Sequence, residues 1–345
     1  MKNPISIATI FLFLSFYLAA FVGCKKANNA NFNYEEKLII QLDSGRISTS
    51  ACILDGYIYV LSTDNKHYQK INLESGEMSQ EKFPVDFQKT TTISHSGNRI
   101  IVSDISDRSL TFFDHDFQFK KRVVLNRFPL DFRVYDNKCI FMTDILQKAM
   151  YNYILVEENL LSHKEDIVFS GDTLNIFDLR KVLNLDTPGT ICYDYDGKYI
   201  YAARQRYDSY VIHRFQPGEL SLTDDFINNR EWQPVKYNES EYLDTKHIYS
   251  DILAASNYPL EKLTFSHKLA ILSITVDERG RLWVVSSNSG DSLSLDIYSD
   301  DGEKIRNIVL KETYKAKLLV SNNYFVLLET DTLHPRIFVY RITEK

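Results

Sequence analysis

Six pairs of turn-forming residues, each followed by a dense apolar run, punctuate the chain: Asp55-Gly56, Ser96-Gly97, Asp136-Asn137, Asp196-Gly197, Arg279-Gly280 and Asn322-Asn323. Counted from the first residue of each pair, the spacings are 41, 40, 60, 83 and 43 residues. A strand-turn-strand unit that recurs near every forty residues cannot bury both of its faces alone. It must stack against copies of itself, which is the pattern of β-propeller blades. The two long spacings equal one period plus insertions of about 20 and about 40 residues.

The runs after the turns, such as Tyr57 to Leu61, Cys139 to Met142 and Leu282 to Val285, lack polar alternation. Both faces of these strands are therefore covered, as second strands sandwiched between neighbouring blades would be. Third strands are expected at 68–71, 110–113, 151–156, 210–215, 293–298 and 337–340. Weaker, edge-like fourth strands are expected at 78–83, 120–125, 164–169, 220–226 and 305–310. The sixth unit runs out of chain after its third strand, while Lys37 to Leu42 reads as a lone strand ahead of the first unit. Pairing the two closes the ring and removes two exposed edges. The expectation is an all-β, six-bladed β-propeller closed by an N-terminal strand, over residues 35–345.

Composition agrees. The 345 residues include 22 Tyr and 21 Phe but only 12 Gly, a bias towards side chains that pack on pleated surfaces. Forty Lys and Arg against forty-six Asp and Glu, spread along the chain, offer no basic field for nucleic acid. Cys52, Cys139 and Cys192 sit in apolar strand-like runs without a Cys-x-x-Cys spacing, and are expected to be buried free thiols. The eight His show no pairing at metal-ligand spacing, so neither a metal site nor a cofactor is expected.

Residues 1–23 differ from the rest: Lys2, then an uncharged apolar run from Ile5 to Val22. Phe21-Val22-Gly23-Cys24 resembles the lipobox of bacterial lipoproteins, with Phe21 in place of the usual Leu. That resemblance implies removal of residues 1–23 and acylation of Cys24. The alternative on hydropathy is an uncleaved anchor helix. Either places the remainder outside the cytoplasm. A polar tether spans 24–34, and without an acidic cluster after Cys24 the expected location is the outer membrane, facing the periplasm.

Ile274 to Val284, with Val276-Asp277, Gly280 and Leu282-Trp283, followed by Leu295-Asp296-Ile297-Tyr298 and Asp301-Gly302, is similar to an NHL-type repeat. Blade two carries a looser copy around Asp104 and Asp114. Together with the lipobox, the pattern resembles the NHL/TolB-like propeller lipoproteins of Bacteroidetes envelopes. The resemblance implies a fold and a binding role, and no shared catalytic residues.

The insertions at 170–188 and 228–268 flank blade four and open on one face, the face where repeat folds commonly bind. The first is expected to start a short helix at Asp172 or Thr173, with Leu174, Phe177, Val182 and Leu183 packing inward. The second is expected to lie over the channel mouth through Tyr242, Tyr249, Ile252 and Leu253, and residues 238–256 to be removable with little loss of stability. Arg204, Arg206 and Tyr207, beside Trp232, Tyr237 and Tyr249, are the candidate ligand-binding residues, suited to a carboxylate, phosphate or sugar ring. The competing reading of that loop is a solvated turn whose Arg residues pair with Asp224 or Asp225.

No Walker loop, H-E-x-x-H, G-x-S-x-G or G-x-G-x-x-G occurs. The expected function is a monomeric, lipid-anchored, non-enzymatic module that binds an envelope protein or a glycan or peptide ligand. The alternative is a channel-centred, lactonase-like hydrolase or lyase using one divalent cation. The inner-strand residues Thr91, Ser94, Thr190, Ser273, Thr275, Asp194 and Asp277 make a polar but carboxylate-poor channel for it.

Overall fold

The computed structural model describes residues 32–42, 47–147, 150–175, 189–218, 225–243, 246, 266–290, 292–311, 316–321, 323–329 and 336–344. Six antiparallel sheets form the blades. From the axis outward, blade one is Ile47–Leu54, Tyr57–Ser62, His67–Asn72 and Met78–Lys82, and blade two is Thr90–Ser96, Arg99–Asp104, Ser109–Phe113 and Phe119–Val124. Blade three is Asp131–Tyr135, Lys138–Gln147, Met150–Asn159 and Glu165–Ser170, with Leu174–Asn175 paired to its third strand. Blade four is Ile191–Tyr195, Ile200–Arg204, Val211–Phe215 and Asp225–Asn228. Blade five is Ile271–Val276, Leu282–Ser287, Ser292–Tyr298 and Lys304–Lys311. Blade six is Ala316–Val320, Tyr324–Glu329, Arg336–Glu344 and, outermost, the closing strand Phe32–Gln41.

The expected closure is present: Ile39 pairs with Phe338 and Ile40 with Ile337. The closing strand begins at Phe32, inside the stretch assigned to the tether, because Tyr34 packs edge-on against Phe325 and Tyr340 at 5.7 and 6.0 Å. Second strands are almost wholly buried, as in Leu282–Ser287, whereas outer strands such as Met78–Lys82 are exposed along their length. Each blade junction has its own apolar cluster. Blades one and two meet at Tyr59, Tyr68, Phe83, Phe113 and Phe117, with Tyr68 stacked on Phe117 at 4.0 Å. Blades five and six meet around Trp283, Phe325 and Tyr340, and blades six and one around Ile58, Val60, Val326 and Val339. The aromatic surplus is thus spent between blades, where each buried ring contributes about 2–3 kcal/mol of apolar transfer.

One expected element differs. The helix start at Asp172 or Thr173 is replaced by extended chain: Tyr151 and Met150 pair with Leu174 and Asn175, so sheet pairing outcompetes a cap. Phe177, Val182 and Leu183 lie outside the described residues. Of the outer strand of blade four, expected at 220–226, the described part is Asp225–Asn228, beside a bulge at Ile212/His213; residues 219–224 lie outside the described residues.

The first five turn pairs work as hairpin corners, and Asn322 of the sixth lies outside the described residues. Asp55 and Gly56 take φ of 51° and 78°, the left-handed pair that a tight two-residue hairpin needs. Gly197 has φ 93°, and a Cβ there would sit 2.5 Å from the Tyr135 ring of the neighbouring blade, so this corner also requires glycine for space. Asp277 of the NHL-like stretch accepts from the amides of Arg279 and Arg281, from Arg281 Nε at 2.6 Å and from Trp283 Nε1 at 2.9 Å. Asp104 likewise accepts three backbone N–H groups, from Gln88, Lys89 and Ser106. These motif carboxylates hold corners and strand links in place.

Candidate functional site

The ring has two working faces. The insertions enter at the ends where each outer strand crosses to the next blade. Their described parts are built structure. Asn238 caps a helical turn over 239–243: its side-chain oxygen accepts from Glu241 N at 2.8 Å, and Glu241 Oε2 accepts from Asn238 N at 3.0 Å. The other oxygen of Glu241 takes a short ion pair from Lys268 Nζ, which also donates to the carbonyls of Asn288 at 3.0 Å and Gly290 at 2.7 Å. Glu241 and Lys268 are 1% and 3% exposed, so this insertion is pinned to blade five by a buried, fully bonded ammonium. The expectation that 238–256 can be deleted with little loss of stability is therefore revised: the deletion removes Glu241 and strands the Lys268 charge.

The six candidate residues of this face divide by role. Arg204 donates Nε to the Ser170 carbonyl at 2.9 Å and lies over the Phe169 ring. Arg206 forks onto Asp208 at 3.0 and 3.1 Å and reaches Asp172 at 3.8 Å, whereas the anticipated partners were Asp224 or Asp225. Tyr207 stacks on His267 at 5.0 Å and 16°, and its carbonyl accepts from Trp232 Nε1 at 2.9 Å. The Tyr237 amide donates to the Ser266 carbonyl at 3.3 Å. The fold thus gathers Arg206, Tyr207, Trp232 and Tyr237 around the root of the second insertion. Tyr249, Ile252 and Leu253 lie outside the described residues; Tyr242 is on the capped turn.

The opposite end of the ring carries a cavity of about 420 Å³ on the axis. Every blade contributes to it through the end of its inner strand, represented by Cys52, Ser94, Arg133, Asp194, Thr275 and Lys317. It opens among the inner corners, where Gly97, Asp196, Lys198, Glu278 and Gly280 form the rim.

Its chemistry centres on Arg133. The guanidinium donates Nε to Asp194 Oδ1 at 2.6 Å, and Nη1 to Asp131 Oδ1 at 3.1 Å and to the Phe132 carbonyl at 2.8 Å. Asp194 Oδ2 in turn accepts from Thr275 Oγ1 at 3.1 Å and from Val276 N at 2.8 Å. One carboxylate thereby joins blades three, four and five. Burial opposes ionisation of Asp131, but the charges of Arg133 and Lys317 outweigh it and hold its carboxyl below the usual range. Burial likewise disfavours the Arg133 cation, and Asp131 and Asp194 more than restore it.

Lys317 faces this cluster from blade six. Its backbone lies opposite Leu328 in the sheet, its Nζ has no hydrogen bond or ion pair with a described residue, and burial lowers its pKa despite the attraction of Asp131 and Asp194. Of the lining residues the sequence had suggested Ser94, Asp194, Thr275 and Asp277, while Arg133 and Lys317, and Asp131 bonded to Arg133, went unremarked. The available signal was a cation embedded in the short apolar stretch ahead of a turn pair, as in Phe132-Arg133-Val134 and Ala316-Lys317-Leu318.

No protein-family model matches the sequence, and none of the curated proteins matches it. Solved structures do resemble it. The gluconolactonase XC5397 of Xanthomonas campestris is 10% identical with a TM-score of 0.50, over 89% of each chain. A DUF4221 family member from Bacteroides vulgatus is 8% identical with a TM-score of 0.49, over 92% of this chain and 99% of its own. Virginiamycin B lyase from Staphylococcus aureus is 10% identical with a TM-score of 0.46, over 91% of this chain and 100% of its own. At such identity the likeness is one of fold.

Proposed function

We propose that this protein is a non-enzymatic binding propeller of the bacterial cell envelope, acylated at Cys24 and facing the periplasm, that holds a small polar ligand in its axial cavity. The opposite face, with Arg204, Arg206, Tyr207, Trp232, Tyr237 and Tyr249 at the insertions, is left to an envelope protein, glycan or peptide partner. The observation that carries this reading is the cavity itself: all six inner strands contribute to one recess, lined by charged and hydroxyl groups. A recess of that size with a few convergent polar groups is the usual form of a small-molecule site.

The lactonase-like alternative needs several oxygen ligands around a divalent cation. Here Asp194 spends both oxygens on Arg133, Thr275 and the Val276 amide, and Arg133 and Lys317 bring two positive charges to the same recess. That donor set does not fit a divalent cation, and it favours binding over metal-assisted hydrolysis.

Native mass spectrometry of the purified protein, after exposure to an envelope small-molecule extract, tests the reading. The wild type should retain a small molecule that Ser94→Phe, which fills the recess from blade two, does not. A wild-type protein that retains nothing, or a Ser94→Phe variant that is folded and retains the same compound, would overturn it.

A further inference from the structure

We propose that the axial cavity selects a small oxyanion, a carboxylate or a phosphate, gripped between Lys317 Nζ and the free Nη2 edge of Arg133. This rests on the cavity being the ligand site and specifies what enters it. Blades three and six stand opposite each other in a six-membered ring, so Arg133 and Lys317 reach the axis from facing sides. Arg133 is not exhausted by its partners. Nε and Nη1 are used on Asp194, Asp131 and Phe132, whereas Nη2 has no partner among the described residues. Lys317 Nζ has none at all among them, although it is close enough to Asp131, Asp194 and Arg133 to feel their charges.

An unpaired ammonium beside a half-used guanidinium is a costly arrangement for stability alone. Well-packed apolar residues of similar volume usually do better at such places. Arg133 has a structural use, bridging blades three and four; the Lys317 ammonium bridges nothing among the described residues. Both cations become satisfied if one anionic group lies between them, the fork supplying direction and the ammonium a point charge. The two carboxylates bonded to Arg133 do not fill that place, because Asp194 and Asp131 flank the guanidinium on its Nε and Nη1 edges. At the rim, Asp196 and Glu278 bring two negative charges against the one positive charge of Lys198; at the centre Arg133 and Lys317 are matched in number by Asp131 and Asp194, but the Lys317 ammonium is bonded to neither among the described residues. At roughly 30 Å³ per water-sized portion of liquid, the recess holds a body of about a dozen heavy atoms.

Three probes matched to that size separate the alternatives by isothermal titration of the purified protein: glucuronate, glucose 6-phosphate and neutral glucose. At least one of the two anions should bind, at least ten times more tightly than glucose; which of them does distinguishes a carboxylate from a phosphate ligand. Lys317→Met, close in volume and uncharged, should weaken that anion by about ten- to a hundredfold, the loss expected for one charge-assisted bond, while the melting temperature stays at or above that of the wild type. An unchanged affinity in Lys317→Met, glucose binding as tightly as the anions, or no binding of either anion would each overturn the proposal. Should native mass spectrometry still show a neutral compound retained and blocked by Ser94→Phe, the cavity reading stands and only its charge selectivity fails.

Discussion

Burial decides what the three cysteines can do. Burial pushes the thiols of Cys52 and Cys192 up to about 12 and that of Cys139 well above its ordinary value, so hardly any thiolate exists at neutral pH. Iodoacetamide at pH 8 should leave the peptides containing all three unmodified in the native protein and modify them in urea, as read by peptide mass spectrometry. Their burial was legible because each lies in a strand-like run and is followed by apolar or aromatic residues, as in Cys52-Ile53-Leu54, Cys139-Ile140-Phe141 and Cys192-Tyr193. Lys317 was not legible for the converse reason. In Ala316–Val320 a lysine between apolar neighbours reads as an ordinary outward-facing strand residue, and only closure of the ring turns that side towards the axis. Its lowered pKa fixes the sign of a pH effect. In the interval between the folded value and the ordinary 10.5, the folded chain binds fewer protons than the unfolded one, so stability rises with pH across it. Below that interval the charged ammonium is a burden, facing Arg133 as well as Asp131, Asp194 and Cys52. The stability advantage of Lys317→Met over wild type should therefore be largest near neutrality and shrink as the pH approaches 10.5, in parallel urea titrations.

Strands and insertions follow a different logic. The second and third strands were readable along the sequence because burial on both faces demands unbroken apolar runs. The outer strand of blade four left a weaker pattern because an exposed edge places little demand on side chains, and its described part is Asp225–Asn228. The short helix expected after Asp172 failed because a cap worth about 1 kcal/mol competes with an available sheet edge at Tyr151 and Met150. In the second insertion, Asn238-Glu239-Ser240-Glu241 carries a readable capping box, while the tie from Glu241 to Lys268 spans 27 residues and leaves no local trace. Glu241→Ala leaves that ammonium without its counter-ion and should cost about 3–5 kcal/mol in urea denaturation. Removing residues 32–41 exposes the edge of Arg336–Glu344 together with the apolar surface beneath Leu38 and Ile40, and should give aggregates by size-exclusion chromatography.

At the scale of the molecule, the ring was legible from arithmetic: a period near forty, two spacings that exceed it, and one strand missing at the C-terminus with one spare at the N-terminus. The axial site was not, since it is assembled from residues of six different blades, and no local pattern records which inner-strand side chains will meet. Among the described residues no helix is long and apolar enough to cross a membrane. If Cys24 is the anchor, Cys24→Ser should move the protein from the membrane fraction to the soluble periplasmic fraction while its thermal melt is unchanged. The closing strand also sets an order of events in folding. Ile39 waits for Phe338, a partner made some three hundred residues later, so its pairing closes the longest loop in the chain and carries the largest entropic cost of any pairing in it. Blades one to five can form as local hairpins while the N-terminal strand is still unpaired. A chain cut short by even its last ten residues would thus be left with a ring that has every blade nucleated and no means of shutting, and with both of its loose strand edges on offer to the next chain.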